Sequence, residues 1–123
     1  MGAVTVAPFS TYGYIPQNLG HRYWTGPWLV TMSASYATGG DTITPAQLGY
    51  GSQIDTMITM VGSGSFNGPF WLFQLNIVNE NANPPVWTIQ AFGAATGATG
   101  LTEAAAANAG INSFVFGAFF VGV

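Results

Sequence analysis

At 123 residues the chain has the size of one domain, long enough to bury roughly two-thirds of its unfolded surface in a real core. Only 4% of its residues are charged, against about 25% in an ordinary globular protein, while 49% are hydrophobic. With Arg22 as the sole Lys or Arg and no cysteine at all, there is no basic face for nucleic acid or an acidic membrane surface, no disulfide framework, no thiolate zinc site and no thiol nucleophile. A surface built from uncharged polar groups repels its copies weakly, so the chain is expected to live assembled.

The amino-terminal segment is uncharged and broken by Pro8, which argues against a signal peptide. Tyr12, Tyr14, Tyr23 and Trp24 then gather in a stretch rich in Gly, Pro and Thr, with too little alternation for a strand. Residues 1–24 are therefore expected as an extended arm ahead of a domain at 25–123. The arm has three readings: a tail on its own core, a segment docking on a neighbour, since Tyr and Trp favour interfaces, or a sugar-stacking platform.

Residues 28–36 alternate cleanly, with Trp28, Val30, Met32, Ala34 and Tyr36 on one face, and predict a half-buried strand. Asp41 is expected to accept hydrogen bonds from the Gly39-Gly40 turn. Thr44-Pro45-Ala46-Gln47 is a capping box with proline at the first helical position and Gly49 as the stop, so one helical turn is predicted there.

Residues 54–61 predict a strand of mixed faces. Residues 70–78, apolar on both faces, predict a central or interface strand, paired with the previous one as an antiparallel hairpin across a glycine-rich tip. A turn at 79–85 and a strand at 86–92 follow. Thr102 can cap a short helix over 103–108, with Glu103 in its first turn and Gly110 as terminator, but so few residues are marginal as a helix alone, so the segment is either packed down or loop. Residues 111–123 are too short to span a membrane as a helix, which needs ~20 residues, and read as a buried strand. Phe114, Phe116, Phe119 and Phe120 in this strand either fill the core or form an oligomer seam. The sum is an all-β fold, an antiparallel β-sandwich of jelly-roll-like type with one or two short helical turns.

Catalytic and cofactor chemistry is not indicated. His21 is the single histidine and has no nucleophile spaced nearby, so it reads as a hydrogen-bonding residue beside Arg22. Asp41, Asp55, Glu80 and Glu103 are scattered singly, whereas a calcium loop gathers its oxygens within about 12 residues. Residues 62–68 are glycine-rich but miss the dinucleotide spacing, and no lysine serves a phosphate loop.

The run Ser35-Tyr36-Ala37-Thr38-Gly39-Gly40-Asp41-Thr42-Ile43-Thr44-Pro45-Ala46-Gln47-Leu48-Gly49, followed by Ile54-Asp55, resembles a pattern of the capsid decoration, or cement, proteins and related minor virion proteins of tailed bacteriophages. In that group a strand ends in a Tyr-x-Thr-Gly-Gly-Asp/Glu turn, a Thr-Pro-Ala-x-Leu-Gly helical turn follows, and the next strand opens with Ile-Asp. The resemblance implies a jelly-roll-like subunit, a homotrimer, bound to the major capsid protein on the capsid exterior, with no catalysis, cofactor, nucleic acid or membrane. The expected function is thus a non-enzymatic virion protein that stabilises its shell. The alternative is a carbohydrate- or receptor-binding β-sandwich of a phage fibre or appendage.

Overall fold

The computed structural model describes residues 2–8, 17–19, 22–60, 72–79, 85–93, 102–104 and 111–123. Among these, the strands are β1 Thr5–Pro8, β2 Gln17–Leu19, β3 Arg22–Thr31, β4 Asp41–Ile43, β5 Ile54–Met60, β6 Leu72–Asn79, β7 Val86–Gly93, β8 Thr102–Glu103 and β9 Val115–Gly122, with a 3-10 turn at Pro45–Leu48. They form two antiparallel sheets. The first has the order β1-β3-β9-β5, with β2 also on β3, and the second the order β4-β7-β6, with β8 also on β7. The chain crosses between sheets from β3 to β4, back to β5, over to β6 and finally to β9, a jelly-roll-like winding of an all-β sandwich.

Side-chain alternation builds the core between the sheets. Trp28, Val30, Met32 and Tyr36 are all buried, as the pattern at 28–36 predicts, although β3 itself ends at Thr31 and Ala34 is exposed. Facing them are Trp87, Ile89 and Ala91 of β7, and between β3 and β5 the central strand β9 contributes Phe116, Ala118 and Phe120. Strand β5 changes face midway. A register shift between Ile54 and Thr56 adds one residue, so Ile54 is buried, Met57 packs on the core and Ile58 points away. An extra residue inverts a period of two, which is why the sequence there reads as mixed.

The capping-box turn forms where expected. The Thr44 N–H donates to Gln47 Oε1 at 2.9 Å, and Gly49 closes the turn at φ 79, a left-handed conformation suited to glycine. Gln47 Nε2 in turn donates to the Val4 carbonyl at 3.0 Å, tying the turn to the amino-terminal segment.

Several expectations are corrected. Strands β5 and β6 do not pair as a hairpin but lie in opposite sheets, because β9 takes the inner edge of β5 and β7 takes that of β6. Among the described strands β6 accordingly lies at the edge of its sheet, so of the two readings, central or interface strand, the central one does not hold. Thr102 and Glu103 belong to strand β8, held by pairing to Phe92 and Gly93, instead of opening a helix. Of residues 1–24, those described join the sandwich: Ala3 bridges Thr42 beside β4, Val4 is in the core, β1 and β2 pair with β3, and β3 runs across residue 24. The expected glycine-rich tip, the turn at 80–84 and the helix over 105–108 lie outside the described residues, as do Tyr12, Tyr14 and His21.

Candidate functional site: an apolar sheet face

The polar side chains are spent on holding loops. Fully buried Asp41 accepts from the Ser33 N–H at 2.7 Å and the Ser33 hydroxyl at 2.9 Å. The turn that Asp41 was expected to serve is held by Glu103, whose Oε1 accepts from the Gly39 N–H at 2.6 Å and from the Tyr36 hydroxyl at 2.9 Å. That hydroxyl also accepts from the Ala91 N–H at 3.0 Å. Burial, with Glu103 and Asp41 adding negative charge nearby, pushes the Tyr36 pKa up to about 12, the Ala91 N–H pulling the other way. Asp55 pairs with Arg22 at 3.1 Å on the surface and accepts from Gln53 Nε2 at 2.6 Å. These three carboxylates therefore stand apart, each occupied by a structural partner.

The aromatic residues singled out in the sequence divide by parity. Phe116 and Phe120, at even positions of β9, are buried, and Phe116 stacks on Phe73 with centroids 4.0 Å apart and planes within 8°. Phe114 packs at the margin of the core, 5.5 Å from Phe73. Tyr23 is exposed on β3. Phe119, at an odd position, faces outward, and Trp24 meets it edge-to-face at 5.4 Å and 84°. Beneath Phe119 lies Gly26, at φ 137, where a Cβ would come within 2.8 Å of the Phe119 ring. A side chain at 26 would displace the ring that covers it.

Directly opposed residues in an antiparallel pair share a face. Val121 therefore carries its partners Trp24 and Thr56 outward, Phe119 carries Ile58, Gly117 carries Leu29, and Val115 carries Thr31. The outer face of the five-stranded sheet is thus Trp24, Leu29, Ile58, Val115, Phe119 and Val121 interleaved with threonines, and Arg22, two residues from Trp24 on β3, brings the Arg22–Asp55 ion pair to its end. Ile58 is 46% and Val115 50% exposed, the others half-buried. In an antiparallel sheet with one face on the core, the outward positions are ordinarily polar. Here six of them are apolar.

Sequence reasoning found Trp24 and Phe119 as members of aromatic groups but missed Leu29, Ile58, Val115 and Val121. The signal for Val115 and Val121 was available, since they share odd parity with Phe119 in the last strand. Ile58 was hidden by the β5 bulge. Comparison with protein-family models, with curated proteins and with solved structures finds no match to this chain.

Proposed function

We propose that the chain is a non-enzymatic structural protein of a tailed-bacteriophage virion, a decoration protein that binds the major capsid protein from outside and staples its shell. The observation that carries this reading is the apolar outer face of the five-stranded sheet in a protein with 4% charged residues. Its contacts work by burial, at about 25 cal/mol per Å² of apolar surface removed from water. The likeness of residues 35–49 to the decoration-protein turn pattern supports the class of partner. In a homotrimer, three equivalent faces engage three equivalent shell sites, so repetition raises the effective concentration without any new contact.

Co-sedimentation with purified capsids tests this. The protein is expected to pellet with shells, and to do so nearly as well in about 1 M sodium chloride, where the Debye length is only ~3 Å. Ile58→Lys and Phe119→Lys each place a charge on the face and are expected to abolish co-sedimentation in a folded protein. Full binding by both variants, or a steep loss with salt, overturns the reading.

A further inference from the structure

Strand β6 borders its sheet: β7 takes one side, and no described residue pairs with the other. The opposite border is treated differently. There the chain lays residues 2–4 along β4, with Ala3 bridging Thr42, the Val4 N–H donating to the Thr42 carbonyl and the Thr42 N–H donating to the Gly2 carbonyl, both at 3.0 Å. Edge strands that stay solitary are commonly blunted by lysine, other charges or proline. Strand β6 reads Leu-Phe-Gln-Leu-Asn-Ile-Val-Asn and has none of these, while Leu72, Ile77 and Val78 are 44%, 47% and 52% exposed.

We propose that β6 pairs antiparallel with β6 of a second copy, with the two-fold axis at Leu75, so that the four-stranded sheet continues across two molecules. The register follows from geometry. Opposed residues share a face, so the axis of a self-paired strand passes at a residue and not between two, or core-facing side chains would meet solvent-facing ones. With the axis at Leu75, Gln74 of one copy faces Asn76 of the other, Phe73 faces Ile77, and Leu72 faces Val78. Amide meets amide and apolar meets apolar throughout, because the strand reads alike in both directions by chemical class. Moving the axis to Gln74 sets Leu72 against Asn76, and moving it to Asn76 leaves Leu75 and Ile77 as the one flanking pair before the register shift. The first alternative pairs apolar with amide, and the second forfeits the Phe73–Ile77 contact.

The register shift on β6 falls between Ile77 and Asn79 and leaves 72–77 regular, so the Gln74–Asn76 and Phe73–Ile77 pairs carry the register and the Leu72–Val78 contact lies at its margin. A strand of this length presents an edge of roughly 27 Å. One such edge buries less than the ~1,600 Å² of a standard interface, so the dimer is concentration-dependent. The pairing is two-fold, unlike the three-fold assembly of the decoration-protein reading, and does not depend on it.

Sedimentation velocity on the purified full chain across a concentration series is the test, with folding of each variant checked by circular dichroism. The wild-type protein is expected to shift from single subunit to dimer. Gln74→Lys with Asn76→Lys puts like charges opposite one another at both symmetric contacts and should weaken the dimer by about tenfold or more. Gln74→Lys with Asn76→Glu alters the same positions but opposes unlike charges, and should hold the dimer within about threefold of wild type. A wild-type protein that stays a single subunit at its highest soluble concentration, one whose sole assembled species is a trimer, or equal weakening by both variants overturns the proposal. Capsid binding plays no part in this readout, so either proposal can fail alone.

Discussion

Tyr36→Phe removes one oxygen at a point where three parts of the fold meet. The hydroxyl sits just beyond β3, donates to Glu103 on β8 and accepts from the Ala91 N–H on β7. Tyr36 is 1% exposed and Ala91 fully buried, so the variant leaves the Ala91 donor without its acceptor, at a cost of about 1–3 kcal/mol. It also removes a hydrogen bond to a carboxylate, worth about 1.5–3 kcal/mol. The two losses share an atom and do not add fully, so the expected destabilisation is about 2–4 kcal/mol. For a domain of this size that lowers Tm by roughly 8–15 °C.

The same hydroxyl carries a pH signature. Its pKa is about 12 in the folded chain against an ordinary 10.0, and a folded-state pKa raised above the unfolded one gives stability that is complete below pH 10 and lost as pH climbs through 12. The unfolded chain releases the proton first, which pulls the equilibrium toward unfolding. Urea denaturation of wild type and Tyr36→Phe at neutral pH and then between pH 9.5 and 12 separates this group from the other tyrosines. The stability difference is expected to be largest at neutral pH and to shrink across that window. A neutral-pH difference below about 1 kcal/mol, or one constant through the alkaline window, would refute the reasoning.

Gly122 lies on β9 between Tyr23 and Ile54, where a Cβ would come within 2.3 Å of the Gln53 carbonyl oxygen and 2.7 Å of the Tyr50 ring. Gly122→Ala must move backbone, and is expected to lower stability by about 1–3 kcal/mol in urea melts; an unchanged midpoint would mean that β5 and β9 are not apposed as described. Asp55→Asn breaks the Arg22 pair, whose side chains are 44% and 24% exposed. Pairs in that setting contribute about 0–1 kcal/mol, so its urea midpoint should barely move, and a larger loss would assign the ion pair a role in holding the β5 bulge.

Much of the fold was legible because it is local. The alternation names Trp28 and Val30, which reach the core from β3, since a strand's side-chain period does not depend on its partner. Thr44-Pro45 and Gly49 specify the 3-10 turn because capping and a left-handed stop are settled within a few residues. Where reading failed, the missing quantity was always a distant partner. Asp41 was assigned to the Gly39-Gly40 turn and Glu103 to a helix start, yet Asp41 holds Ser33 and Glu103, 64 residues from Gly39, holds the Gly39 turn.

Composition, periodicity and turn chemistry by themselves determined that this is an antiparallel β-sandwich with a sparsely charged surface, because those properties are written in neighbouring residues. Only the tertiary structure decided that β5 and β6 part company, that a bulge turns Ile58 outward, and that Phe119 leaves the core while Phe116 and Phe120 enter it. The physical reason is that alternative strand pairings satisfy the same local pattern equally well. Which one forms depends on the core packing and hydrogen bonds gained across the whole sandwich at once.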